Sequence, residues 1–194
     1  MQYSEGQLGR VFVVRIDNGE DFLVTLQKFI GEKEIETGTI LFLGAFKEGR
    51  LVTGPEELTF PPSPHFVMFE GGWETFGIGT ICQGDAGPSI HYHASFGRAG
   101  HALTGCLREL ATTYLIIEAV IIEFTGFGIH REMDEATKMS LPFHEKYAKA
   151  EGVKEKKIQK KTPEPEKKES PENPRELPGG LAEIIRDLTR RPSR

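Results

Sequence analysis

The sequence predicts an α+β domain: one strand, one helix, then a run of antiparallel strands with no second long helix. Three observations carry this. Residues 9–16 (GRVFVVRI) are short, β-branched and aromatic, which suits a strand. Residues 21–30 place Phe22, Leu23, Leu26, Phe29 and Ile30 at helical spacing behind Asp21, an acidic helix start. From residue 38 onward the apolar runs are short and punctuated by glycine and proline, the pattern of a strand-rich α+β fold and not of a doubly wound sheet.

Each element follows from its residues. Asn18-Gly19 turns the chain between the first strand and the helix, which has about ten residues and one apolar face. Residues 38–46 (GTILFLGAF) are apolar enough to be a strand buried on both faces. Residues 51–53 and 64–70 predict further short strands, separated by turns at Glu48-Gly49 and at residues 61–64. In residues 73–82, Gly77 and Gly79 allow a close backbone approach or a bulge. Residues 89–96 and 101–107 flank a GRAG turn and read as a hairpin; residues 112–124 (TTYLIIEAVIIEF) are the strongest strand.

Composition changes abruptly after Ala150. The reading is a domain over residues 8–145, a charged, proline-rich disordered linker over 146–179, and a short amphipathic helix with a basic end over 180–194. In that last segment Leu181, Ile184, Ile185 and Leu188 fall on one helical face, suited to docking on a protein partner. Residues 151–194 carry 12 Lys+Arg against 9 Asp+Glu, which leaves 12 against 20 and a formal charge of −8 on residues 1–150. An acidic body is a poor match to a phosphate backbone. No N-terminal apolar segment resembles a signal peptide, and no apolar run reaches the roughly 20 residues of a membrane helix. A soluble, cytoplasmic protein without membrane contact is expected. Cys82 and Cys106 form no disulfide framework and read as buried, reduced thiols.

The concentrated chemistry is His91, His93 and His101. Within a strand, the period of two puts His91 and His93 on one face, and the returning strand of the hairpin can bring His101 near them. Three neutral imidazoles with water suit zinc. Spacing alone does not separate this reading from histidines with no metal. Cys106, five positions from His101, falls on the opposite face of a regular strand and is excluded as a ligand. His65, His130 and His144 are isolated.

The chain resembles the PPC (plants and prokaryotes conserved) domain, the domain that follows AT-hooks in plants. The family's PxxHxHxS segment is met by Pro88, His91, His93 and Ser95, and its Gly-Gly-His turn by Ala99-Gly100-His101. Its Glu-x-Val strand is met by Glu118 and Val120, and its tail by Arg131, Asp134, Thr137 and Leu141. The opening strand, helix and second strand also correspond, so the likeness spans residues 8–143. Ala99 replaces a family glycine, Lys138 another, and residues 74–79 depart from the usual strand. The resemblance implies a curved antiparallel sheet, a homotrimer, and in some prokaryotic members a zinc held by three histidines, here His91, His93 and His101.

Three functions fit. The first is a metal-binding homotrimeric module with a regulatory or small-ligand-binding role. The second is a zinc-dependent enzyme related in fold to acetolactate decarboxylase, with Glu74, Arg98, Glu109 or Glu118 supplying acid–base chemistry; whether the chain is an enzyme stays open. The third is DNA binding through the tail, where Thr189-Arg-Arg-Pro-Ser-Arg194 resembles an AT-hook core without its glycine.

Overall fold

A computed structural model describes residues 2–144. The predicted linker and C-terminal helix, with the tail's docking and DNA-binding roles, lie outside them. The elements are β1 (Gln7–Asp17), α1 (Phe22–Glu32), β2 (Gly38–Pro55), β3 (Pro64–Gly84), β4 (Gly87–Arg98), β5 (His101–Thr125), β6 (Ile129–Asp134) and β7 (Met139–His144). The class is α+β as predicted: one strongly bent sheet and one short helix.

Asp21 caps α1 by accepting a hydrogen bond from the Val24 amide at 2.9 Å, satisfying one of the free donors of the first turn. The helix buries Phe22, Leu26 and Ile30 on the inner face of the sheet. There the Phe22 ring meets Phe42, Phe46 and Tyr92 at centroid distances of 4.7, 5.3 and 5.1 Å. Gly77 and Gly79 make room for this cluster: a Cβ at Gly77 would lie 2.3 Å from Phe42 Cζ, and one at Gly79 2.8 Å from Tyr92 Cδ1. The close approach expected of these glycines is therefore real, and it serves the core.

The sheet runs in the order β1-β5-β2-β3-β6-β7, with β4 bridging β3 and β5. The β2, β3, β4 and β5 ladders thus close on themselves, and all four are antiparallel. One pair, Gln83 with His130, is parallel.

The structure corrects several element boundaries. The runs at 38–46 and 51–53 are one strand, as are 64–70 with 73–82 and 101–107 with 112–124. No turn forms at Glu48-Gly49; the β2 ladders shift register between Phe46 and Glu48 and the strand continues. β5 bends where Glu109 and Leu115 take left-handed conformations (φ 64° and 60°). Such bulges bend a strand without ending its pairing. The β6–β7 hairpin had no strand signal, because residues 129–144 are charged and lack apolar alternation.

β2 also departs from the expectation of burial on both faces. Ile40 and Phe42 are buried, while Leu41 and Leu43 are 45% and 56% exposed. They belong to an outer face on which Val13, Val120, Leu41, Ile78 and His93 form one row across five strands. Among the described residues no helix is long and apolar enough to cross a membrane.

Candidate metal centre

The β4–β5 hairpin builds the site. Tyr92, Ala94 and Phe96 point into the core, so His91, His93 and Ser95 take the opposite face. The turn has two residues, Ala99 and Gly100, both with positive φ (49° and 80°), the geometry a tight hairpin prefers. Its length fixes the register: Arg98 pairs with His101, and His93 pairs with Cys106. Side chains of a directly opposed pair share a face. Cys106 is thus beside His93, and His101 is not.

His91, His93 and Cys106 place one ligand atom each within 4.8 Å of one another. His91 Nε2 lies 3.1 Å from Cys106 Sγ, and the two imidazole rings are 4.9 Å apart, nearly perpendicular. Cys106 is buried, His91 half-buried and His93 exposed. His101 sits at the hairpin tip, exposed. Five strand positions from Cys106, it is about 16 Å along the chain direction and on the other face. The structure therefore brings together two of the three predicted ligands, leaves His101 apart, and supplies the cysteine that sequence reasoning had excluded. The parity argument itself holds, since positions 101 and 106 do face opposite ways; it removes His101 from this face.

The motif departures acquire a physical meaning. Gly100 has open space around it, whereas a Cβ on Gly105 would meet the Val52 carbonyl oxygen at 2.4 Å. The glycine-then-ligand pattern is thus better matched by Gly105-Cys106 than by Gly100-His101. Ala99 and Lys138 hold left-handed conformations (φ 49° and 55°), where L-residues, unlike glycine, are strained. Ala99→Gly is expected to stabilise the fold by about 1 kcal/mol net of glycine's entropic cost, read as a higher urea midpoint with unchanged slope. Asp134, from the tail motif, accepts hydrogen bonds from the Thr137 amide and hydroxyl at 2.8 and 2.7 Å, holding the β6–β7 turn.

That hairpin places Arg131 and Met139 by the cluster. Burial pushes the His91 imidazolium down to about 4, and the positive charges of Arg131, His93 and Arg108 act in the same direction. The His91 ring is therefore neutral at pH 7, with a lone pair free for a metal. Burial pushes the Cys106 thiol up, while Arg108 and Arg131 oppose that shift. Burial likewise raises Cys82, against the pull of Arg131; both cysteines are free and buried, as expected. A metal at Cys106 must displace the thiol proton.

Beside the cluster opens a cavity of about 500 Å3, whose lining includes Val52, Phe66, Met139, Arg108 and Glu109. Of the four acid–base candidates, Glu109 alone lines it. Arg98 instead donates to the Glu70 carbonyl at 3.2 Å. Arg108 had no recognised role in the sequence and Arg131 entered only through the tail motif, because no spacing rule ties either to His91.

Comparison with known proteins places this site in context. The Plants and Prokaryotes Conserved (PCC) domain model matches residues 3–125. A plant- and prokaryote-conserved protein of Pyrococcus horikoshii is 25% identical with a TM-score of 0.66, covering 76% of this chain and 100% of its own. A metal-containing protein of Archaeoglobus fulgidus shares the fold at 23% identity and TM-score 0.65, with 73% and 98% covered. A provisionally named DNA-binding protein of Bacteroides thetaiotaomicron is 25% identical with a TM-score of 0.59, with 73% and 96% covered. No curated protein sequence matches the chain. With its family model spanning most of the described sheet and both site histidines, the chain belongs to the Plants and Prokaryotes Conserved domain family.

Proposed function

We propose that the chain is a self-associating, zinc-binding module with a regulatory or ligand-binding role, in which His91, His93 and Cys106 hold the ion. The observation that carries this reading is the convergence of three donor atoms of zinc-compatible type within 4.8 Å on the rim of a cavity. Tetrahedral zinc with nitrogen and sulfur ligands needs donors roughly 3.3–3.7 Å apart, as follows from its bond lengths; small side-chain rotations supply that. Three protein ligands leave one position open, and zinc there can polarise or bind a small ligand. His101 has no part in the site within one chain; it would join only from another copy. Two buried cysteines that form no disulfide suit a reducing compartment, which supports a cytoplasmic location. The metal-containing A. fulgidus protein agrees with this reading.

Self-association, as the homotrimer implied by the family likeness, is supported by the outer face. Val13 is 82%, Phe76 68%, Leu43 56% and Ile78 48% exposed, and contiguous apolar patches of this kind mark interaction surfaces. Binding is favoured over catalysis because Glu109, the one carboxylate among the described residues lining the cavity, is already held by Arg50. A DNA role would follow the B. thetaiotaomicron protein's label, against the formal charge of −8 on residues 1–150.

Metal analysis of the purified full chain tests the proposal. About one zinc per chain is expected, lost in His93→Ala. A metal-free protein whose melting temperature does not respond to added zinc would refute it.

A further inference from the structure

The cavity next to the cluster has walls that select a ligand, and this inference deepens the metal-site reading by naming the class that site would take. Its volume of about 500 Å3 falls among ordinary small-molecule sites. Most of the wall is apolar: Val52, Pro62, Phe66 and Met139 contribute no charge. Two charged side chains interrupt it, Arg108 and Glu109. Glu109 is neutralised by an ion pair with Arg50, and the Arg50 guanidinium in turn lies 3.8 Å from the centre of the Phe66 ring. Arg108 has no carboxylate partner among the described residues. The apolar wall thus carries one guanidinium, Arg108, whose charge no carboxylate of the described residues balances.

A guanidinium in that position favours a carboxylate, which it can meet with two parallel hydrogen bonds. With Glu109 already paired to Arg50, Arg108 is the one guanidinium that the described lining leaves for an anion, so a monoanion fits better than a dianion. We propose that the cavity binds a small monocarboxylate with an apolar body, its carboxylate on Arg108 and its hydrocarbon part against Phe66, Val52 and Met139.

The test uses the full chain, zinc-loaded and chelator-treated, with calorimetric titration of hexanoate, 1-hexanol and acetate. Hexanoate should bind at least tenfold more tightly than either hexanol, which lacks the charge, or acetate, which lacks the body. Arg108→Met, which keeps the stem and removes the charge, should lose at least tenfold for hexanoate and leave hexanol unchanged. Arg108→Lys should fall between, which distinguishes a charge contact from a folding defect. No hexanoate binding at millimolar concentration, equal affinity for hexanol, or indifference to Arg108→Met would each overturn the proposal. The two readings fail separately. Zinc retained without Arg108-dependent binding removes only the ligand class, and Arg108-dependent binding in a chain that holds no zinc removes only the metal.

Discussion

Replacing Cys106 by alanine is expected to weaken zinc binding by at least about 100-fold, since even groups that only support a ligand cost 10–100-fold when removed. The His101→Ala variant should bind zinc as the parent does. The contrast follows from the hairpin register: Cys106 is paired with His93, and His101 is paired with Arg98. Stability should report the same difference. At zinc concentrations about 100 times the parent Kd, binding adds about 2.7 kcal/mol, worth roughly 10 °C in melting temperature for a domain of this size. Cys106→Ala should lose most of that increment and His101→Ala none of it. Metal-free forms must be melted alongside, because Cys106 is 6% exposed and its truncation has a packing cost of its own. Competition against a chromophoric chelator gives the affinities directly.

Phe22→Ala is expected to destabilise the fold by about 3–5 kcal/mol, the range for deleting a buried aromatic side chain. Phe22 is fully buried and is the ring through which α1 reaches the sheet, in contact with Phe42, Phe46 and Tyr92. The void would open between helix and sheet, where Gly77 and Gly79 offer no side chain to fill it. Typical domains have only 5–15 kcal/mol to lose, so the variant should unfold at a much lower urea concentration. Val24→Ala, on the exposed side of the same helix at 67%, should change stability by no more than about 0.5 kcal/mol.

The elements set by local periodicity were legible. Residues 21–30 announce α1 because its apolar face repeats along the helix, and Asp21 caps it as its position suggests. Long-range pairing was not. Whether His101 or Cys106 faces His93 depends on how many residues the turn consumes, and GRAG is compatible with more than one answer. The two-residue turn at Ala99 and Gly100 decides it. Long bent strands defeated the boundary reading for a related reason: Glu109 and Leu115 turn left-handed inside β5, a choice made by tertiary packing. Leu41 and Leu43 show a third limit. Their apolar character reads as burial, yet both lie on the exposed outer face of the sheet.

Cobalt substitution tests the central claim, that Cys106 and not His101 completes the site. Cobalt(II) bound through a thiolate gives an intense near-ultraviolet sulfur-to-metal charge-transfer band, which nitrogen and oxygen ligands do not produce. The cobalt form of the parent and of His101→Ala should show this band, and Cys106→Ala should lack it. A cobalt spectrum without the band in the parent, or one abolished by His101→Ala, would contradict the account.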